Sequence, residues 1–208
     1  EAVRAEVMAG RRPPSVFGGA RPWTDGLAEA LRLDGAGDAE GAARARLAAL
    51  DAAPEEGADV DGTRAPWFSD ADPRFGPVFE CVLNGDYRWV PYEEVRSLHV
   101  EPPADLRDAV WTVATLMLTD GAEWPALLHT RYPGAEASGD GAIRLGRRTD
   151  WTVGAGGLEY ASGQRLFAAG EGDVAIMDLR TVTFDRPPLG EPDADGDYGP
   201  DMPDWGGE

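Results

Sequence analysis

The residues with the clearest potential for metal chemistry are one cysteine and two histidines. Cys81 is the single cysteine of the chain, and His99 and His129 are its two histidines. Thiolate and imidazole groups are ligands that zinc prefers, and a carboxylate from Glu80 or Asp72 could complete the site. This set supports one hypothesis, a metal-assisted hydrolase. The opposing interpretation places Cys81 and one histidine in the core and leaves the other histidine exposed, because the three lack the close spacing of a zinc ligand pair.

Several other kinds of active site lack their residues in this sequence. Every basic residue is Arg, which excludes Schiff-base, pyridoxal and P-loop lysines. The G-x-S-x-G nucleophile motif of α/β-hydrolases does not occur. The segment "DADGD" at 193–197 resembles the start of a calcium loop, but Tyr198 stands where that turn needs glycine. The residues therefore predict no cofactor. A catalytic carboxylate pair stays open, but 38 acidic residues make any single pair uninformative, so the metal hypothesis is the main catalytic alternative.

Polar pairs at turns and large aromatic residues form a second group of candidates. In "DADPRFG" an acidic side chain can accept backbone N–H groups and Pro73 fixes the backbone, so this segment fits a turn or the rim of a partner site. The Arg-Asp pair of "ADLRDAVW" has the same two interpretations, and Arg beside Tyr in "TRYPG" is typical of interfaces. The aromatic residues fit a half-buried sheet face or an exposed groove. The candidate partner-contact residues are Asp72, Arg74, Tyr87, Trp89, Arg107, Asp108, Trp111, Arg131 and Tyr132.

The elements at the start of the chain have the periodicity of short helices. In "EAVRAEVMA", Val3, Val7 and Met8 fall on one side of a helix. Pro and Gly in "RRPPSVFGGARP" then break the helix, and Asp38 can cap the later segment "AEGAARARLAAL". Small residues at the contacts favour an α-hairpin. Because the chain opens inside a helical pattern, we expect residues 1–58 to be the end of a longer helical domain.

After residue 58 the hydrophobic period changes to two. "PVFECVL" alternates, and Asn84-Gly85 separates it from a second alternating segment, which is a strong signal for a type I′ hairpin. Further short strands end at turn signals such as Asp120-Gly121. Many short strands of this kind favour a barrel-like or curled-sheet domain over a parallel sheet. The predicted fold class is therefore α+β, with a short helical hairpin region at 1–58 and a β-rich domain at 59–186.

Charge and composition limit the classes of partner. The net charge of −19 repels nucleic acid and anionic membranes and favours a basic protein partner. Residues 187–208 are acidic, lack basic residues and are rich in Pro and Gly, which is the composition of a disordered tail. No apolar segment reaches the roughly 20 residues that span a bilayer. A single cysteine suits a reducing cytosol, so we expect a cytoplasmic protein.

Five segments occur in a fixed order along the chain: "DADPRFGPVFECVLNGDYRWVPYEEVRSLHVEPPADLRDAVW", "RYPGAE", "RLGRRTDW", "GQRLFAAGEGDVAIMDLR" and "TVTF". In this order they resemble the ImpE/TagJ family, accessory proteins of bacterial type VI secretion systems. The nine candidate contact residues carry the family pattern, and the family gives them no catalytic role. The chain departs from that pattern at Ala135, where we expect Ser, at its short amino end and in its acidic tail.

The resemblance implies a fold and a set of partners. The implied fold is a tetratricopeptide-like helical part followed by a β-rich part, which agrees with the periodicity. The implied role is that of a non-enzymatic adaptor. Its expected protein partners are a helix of the small sheath subunit and the AAA+ ATPase that recycles the contractile sheath. The expected oligomeric state stays open.

Overall fold

The computed structural model describes residues 1–170 and 172–187 of the chain. The calcium-like segment and all of the predicted acidic tail after Pro187 lie outside the described residues. The described chain mixes helices and strands, so the α+β prediction is confirmed. None of its helices combines the length and the apolar character that crossing a membrane requires. The domain boundaries at residues 58 and 186 stay predictions.

The α-helices of the described residues lie mainly before the strands. They are α1 (Ala2–Met8), α2 (Pro22–Gly35), α3 (Ala39–Asp51) and the short α4 (Gly141–Arg144). Pro22 occupies the first turn of α2, where its missing N–H costs no hydrogen bond. The Asp38 carboxylate accepts the Gly41 backbone N–H at 2.9 Å and caps α3. A Cβ on Gly26 would lie 2.8 Å from the Cβ of Ala49, so small residues let α2 and α3 pack as a hairpin. Its tetratricopeptide-like character stays a prediction.

The strands of the described chain form three sheets, and every strand pair is antiparallel. In chain order they are β1 (Ala58–Val60), β2 (Thr63–Ala65), β3 (Phe68–Asp70), β4 (Val78–Leu83), β5 (Asp86–Pro91), β6 (Val95–Val100), β7 (Trp111–Leu118), β8 (Glu123–His129), β9 (Thr149–Val153), β10 (Glu159–Gly163), β11 (Leu166–Ala169), β12 (Gly172–Ala175) and β13 (Thr181–Phe184). The large sheet has the order β2-β1-β13-β6-β7-β8-β4-β5. The two smaller sheets are β10-β9 and β12-β11-β3.

The hairpin between β4 and β5 forms where the sequence predicts it. Asn84 and Gly85 have φ values of 49° and 83°, the left-handed conformation that a type I′ turn requires at both positions. The register places Val82 opposite Tyr87 and Leu83 opposite Asp86. The two-residue turn therefore fixes which side chains of β5 face each side of the sheet.

Of the two predicted forms of the β-rich domain, the barrel is wrong, because the large sheet stays open between β2 and β5. The curled-sheet form stays a prediction. The free edge of β5 is instead partly covered by the segment that precedes α2. The Trp89 N–H donates to the Ser15 carbonyl at 2.9 Å, and the Phe17 N–H donates to the Trp89 carbonyl at 2.8 Å. A short extended segment thus satisfies backbone groups of β5 that barrel closure would have paired with another strand.

Two segments fold differently from their local pattern. We predict one strand over "TRAPWFS", but the structure divides it into β2 and β3 at Pro66 and Trp67, because proline cannot donate to a ladder. We predict a short helix over "GAIRLGRRTDW", but α4 ends at Arg144 and β9 begins at Thr149. Pairing of β9 with β10 decides the conformation of the second half of that segment.

The large sheet buries its two faces in different ways. The apolar face carries Phe79, Leu98 and Leu116 and packs against the sheet of β3, β11 and β12. Its centre is a cluster of aromatic rings with centroids 4.4–6.4 Å apart: Phe68, Phe79, Tyr92, Phe167 and Phe184. The polar face carries Glu80 on β4 and Tyr87 and Trp89 on β5. The helices cover this face over β4 and β5, through side chains such as Val7 and Leu27.

Candidate functional site

The three residues of the metal hypothesis lie apart in the sheet. Cys81 packs in the core of the apolar face, whereas His129 contacts Trp111 and Tyr87 on the polar face. The side chain of His99 is 57% exposed and lies beside Glu101, outside the core. No group of three or more His, Cys, Asp or Glu side chains in residues 1–170 and 172–187 could hold a metal ion. The convergence of Cys81, His99 and His129 that the metal hypothesis requires is therefore wrong, because strand alternation sends their side chains to different surroundings. The opposing interpretation is confirmed, since Cys81 and His129 are buried and His99 is exposed.

The polar face holds a network of buried ions instead, which we call the ion network: Arg4, Asp70, Glu80 and Arg165. Each of these residues is at most 6% exposed. The Arg4 Nε and Nη2 atoms donate to the two carboxylate oxygens of Glu80, both at 2.8 Å. Arg165 donates to Glu80 and to Asp70 and so links the two carboxylates. A guanidinium partner at each carboxylate offsets much of the cost of burying its charge.

The ion network joins segments that are far apart in the chain. Arg4 lies on α1, Asp70 ends β3, Glu80 lies in the middle of β4, and Arg165 immediately precedes β11. Arg4 Nη2 also donates to the Arg131 carbonyl at 2.8 Å, and Arg165 Nε donates to the His129 carbonyl at 3.0 Å. The network therefore fixes the first helix and two different sheets to one another.

The two carboxylates of the ion network differ in acidity. Burial by itself raises the pKa of Glu80, but the guanidinium groups of Arg4 and Arg165 outweigh burial and hold that pKa well below its usual range. Burial raises the pKa of Asp70 to about 6, and Arg165 opposes this shift only in part. The difference follows from the charged neighbours, because Glu80 has two guanidinium partners whereas Asp70 has one and also lies near the Asp72 carboxylate, which raises its pKa further.

Three of the candidate contact residues support the ion network from inside the protein. The Tyr87 hydroxyl donates to Glu80 Oε1 at 2.8 Å, and Trp89 Nε1 donates to the Tyr87 oxygen at 2.9 Å. The Tyr132 hydroxyl donates to Asp70 Oδ1 at 2.9 Å. Burial raises the pKa of both tyrosines, so they stay neutral donors. Trp89 and Tyr132 are fully buried and Tyr87 is nearly so, so these side chains present almost no surface to a partner.

Asp72 and Arg74 close the edge of a strand. The Asp72 carboxylate accepts the Ala161 N–H at 2.7 Å, and Arg74 Nη2 donates to the Ala161 carbonyl at 2.8 Å. The same two side chains form an ion pair with each other at 2.6 Å. Together they replace a neighbouring strand along β10, which explains why an acid and a base stand two residues apart in this turn.

Arg131 and Trp111 lie at the border of the polar face. The Arg131 guanidinium donates to the Arg144 carbonyl, so it holds the end of α4. Trp111 is half-buried, and its ring centroid lies 4.5 Å from that of His129. His129 itself is 1% exposed, and neither ring nitrogen has a hydrogen-bond partner among the described residues. Burial lowers the pKa of His129 to about 3, so the imidazole is neutral at physiological pH.

Arg107 and Asp108 are the candidates that lie in an exposed loop. Arg107 pairs with Asp105, and the Asp108 carboxylate accepts the N–H groups of Ala104 and Asp105 at 2.6 and 2.8 Å. The loop borders a groove of about 280 Å³ that we call the loop groove. Its lining includes Pro102, Pro103, Arg107, Asp108, Val113 and Met177. Leu106, 72% exposed, stands beside it.

Sequence reasoning found part of this arrangement. It selected the aromatic and acidic residues around the ion network, but it missed Arg4 and Arg165. It also missed Arg46, which is fully buried and donates to Tyr160 and Asp34 at 2.7 Å each. The one available signal is weak: Arg4 falls next to Val3 and one helical turn before Val7 and Met8, on the border of the apolar side of α1. The arrangement is a brace between elements, since its charges are paired with one another.

The chain is similar to known proteins in sequence and in fold. Residues 62–183 match the family model described as ImpE protein. Over 185 residues the chain is 44% identical to the type VI secretion system accessory component TagJ of Pseudomonas aeruginosa, covering 89% of this chain and 64% of that protein. The crystal structure of protein VPA1032 from Vibrio parahaemolyticus has a TM-score of 0.81 at 22% identity, over 91% of this chain and 71% of that one. This second likeness concerns the fold alone.

The family-model match spans more than half of the chain, and it includes all nine candidate residues and Asp70, Glu80 and Arg165 of the ion network. The high identity with TagJ extends over a longer part of the sequence, although the chain spans only 64% of the length of that relative. Both findings agree with the resemblance that the ordered motifs indicate. The chain belongs to the ImpE family.

Proposed function

We propose that this chain is a cytoplasmic accessory protein of a type VI secretion system that acts by binding other proteins and not by catalysis. The observation that carries the proposal is the 44% identity with TagJ over 185 residues. The interior is consistent with a non-catalytic role, because the charged side chains of the ion network form ion pairs that link different elements. A catalytic group would need access to a substrate, and the ion network has almost none.

The proposed partners are a helix of the small sheath subunit and the AAA+ ATPase that recycles the sheath. An amphipathic helix can place apolar side chains at i, i+3, i+4 and i+7 into an apolar groove. The loop groove offers Pro102, Pro103, Val113 and Met177 for such contacts, and the exposed Leu106 extends it. Glu101 lies at the groove and the chain is strongly acidic, which favours a helix with basic residues beside its apolar stripe.

A binding titration tests this proposal. A fluorescent peptide of the sheath-subunit helix is titrated with the wild-type chain, with Val113→Asp and with Leu47→Asp. Val113 and Leu47 are exposed to a similar extent, 46% and 47%, but Leu47 lies on α3, away from the loop groove. We expect Val113→Asp to weaken binding at least about tenfold and Leu47→Asp to leave it unchanged. The association rate should fall as salt rises.

The possible outcomes distinguish the adaptor role from the surface proposed for it. If neither the peptide nor the ATPase binds the wild-type chain, the adaptor proposal is wrong. If the peptide binds the wild-type chain and Val113→Asp equally well, the adaptor role stands and the loop groove is the wrong surface. Capture of the small sheath subunit or the ATPase from native lysate, identified by mass spectrometry, would support the role for the complete partners.

A further inference from the structure

The strand β9 has one neighbour and one open edge. It pairs with β10 in a two-stranded sheet, and no other described strand adjoins it. The far edge of β10 is closed by Asp72 and Arg74, as described above. An isolated two-stranded ribbon is only marginally stable, and an open edge is a template for another strand.

The direction of the free backbone groups follows from the ladder. The Gly154 N–H donates to the Leu158 carbonyl at 2.8 Å, and the Gln164 N–H donates to the Arg148 carbonyl at 3.0 Å. Hydrogen-bonded pairs alternate along an antiparallel ladder, so the even-numbered residues from Arg148 to Gly154 direct their N–H and C=O groups toward β10. Thr149, Trp151 and Val153 therefore direct theirs to the open edge, and no described hydrogen bond engages them.

The side chains on this edge are unusual for an unprotected strand. Trp151 is 39% exposed and Val153 is 67% exposed. The other short edge strands expose Thr63 and Arg64 on β2 and Asp173 on β12, and no large apolar side chain. Strand β9 also exposes the polar Asp150 and Thr152, but it adds the large apolar Trp151 and Val153. Polar and charged side chains are the usual protection of an edge against pairing. An edge that combines free backbone groups with exposed Trp and Val is suited to pairing.

We propose that two copies of this chain associate through β9, in antiparallel pairing about a two-fold axis at Trp151. In this register Trp151 faces Trp151 of the other copy, and Thr149 faces its Val153. These are the residues with free backbone groups, so every one of them gains a partner. The product is a four-stranded sheet, β10-β9-β9-β10, in place of two isolated ribbons.

The pairing is self-complementary in its side chains as well. Asp150 lies opposite Thr152 of the other copy, and Arg148 lies opposite its Gly154, so no like charges oppose each other within the paired strands. The Trp151 rings become cross-strand neighbours, a favourable pair. The second copy is therefore the occupant whose register the residues of β9 specify by themselves.

The association should be weak and should strengthen with salt. Strands of five residues bury less area than the roughly 1,200 Å² of a stable interface. Each copy carries a net charge of −19, so the copies repel each other until salt screens the charge. This salt dependence is opposite in sign to that expected for a basic partner, which distinguishes self-association from the proposed adaptor function.

Analytical ultracentrifugation over a range of protein and salt concentrations tests the proposal. We expect a monomer–dimer equilibrium for the wild type. Val153→Pro removes one outward N–H from each copy while sparing the ladder to β10, since proline is tolerated at an edge whose N–H faces solvent. It should raise the dimer dissociation constant roughly tenfold or more. Thr63→Lys on the edge strand β2 is the matched control and should change nothing.

Disulfide trapping checks the register. Trp151→Cys adds one accessible thiol, because the native Cys81 is buried. Cα atoms of a hydrogen-bonded antiparallel pair lie about 5.5 Å apart, within disulfide range. Oxidation should therefore give a covalent dimer with Trp151→Cys and much less with Thr63→Cys. A wild type that stays monomeric at high protein and salt concentrations, or a dimer that Val153→Pro leaves intact, would overturn the proposal.

Discussion

The two faces of the large sheet are buried through different kinds of interaction. The apolar face excludes water with aliphatic and aromatic side chains, whose attraction has little directional preference. The polar face buries four ionised side chains whose hydrogen bonds hold α1, β3, β4 and the start of β11 in one arrangement. Breaking a buried ion pair leaves an uncompensated charge, whereas truncating an apolar side chain leaves a cavity. The apolar face thus supplies most of the burial, and the polar face fixes the relative positions of the elements.

Replacing Arg165, which links the two carboxylates of the ion network, should have the largest effect on the stability of the protein. Arg165→Ala leaves the Asp70 and Glu80 carboxylates with fewer cationic partners in a buried site. We expect a loss of about 3–5 kcal/mol in the free energy of unfolding, measured by urea denaturation. Arg64→Ala is the control, because that arginine pairs with Asp185 at the surface, and it should leave stability unchanged. A small loss for Arg165→Ala would mean that the network contributes little to stability.

A cavity in the apolar face should lower stability somewhat less. Leu116→Ala removes a fully buried side chain, and we expect a loss of about 2–5 kcal/mol by the same measurement. Leu127 on the neighbouring strand is 38% exposed, so Leu127→Ala should cost far less. The Leu116 cavity should leave the pH dependence of stability unchanged, because it touches no titrating group of the network. Equal losses for the two leucine variants would contradict the assignment of the faces.

The smallest effects should appear in the pH dependence of the unfolding free energy, to which His129 and Asp70 contribute with opposite signs. The folded state keeps His129 neutral, with its pKa lowered to about 3, so its contribution to stability is lost as pH falls from about 6.5 toward 3. Asp70 has a raised pKa of about 6, so its contribution appears as pH falls through 6 and is complete below about 3.8. Between pH 7 and pH 5 the two contributions largely cancel.

Variants of these two residues separate the contributions. Asp70→Asn leaves the His129 contribution unopposed. Acidification from pH 7 to pH 5 should therefore lower the unfolding free energy of this variant by about 2 kcal/mol. In His129→Phe, the same change should leave the Asp70 contribution unopposed, a gain of about 1 kcal/mol. Denaturation curves at both pH values provide the comparison with wild type. Parallel slopes in all three proteins would show that neither group titrates as the structure predicts.

Sequence reasoning predicted the elements better than the contacts between them. The Asn84-Gly85 turn and the alternation of β4 depend on neighbouring residues, so they were readable from the sequence. The barrel alternative failed because strand patterns do not show what covers an edge, and a segment near Phe17 covers part of β5. The metal hypothesis failed because proximity in a sheet also depends on which face a side chain occupies.

The residues and their order are enough to establish the fold class, the turn positions, the absence of lysine chemistry and the family pattern. These properties reside in local periodicity, in backbone preferences of single residues and in the order of motifs. Which of the chain's arginines are buried depends instead on the folded arrangement. Arg4 and Arg165 find the same carboxylate, Glu80, from positions 76 and 85 residues away in the chain. Burial of a charge depends on such distant partners, because a guanidinium leaves water only where the folded chain supplies the opposite charge.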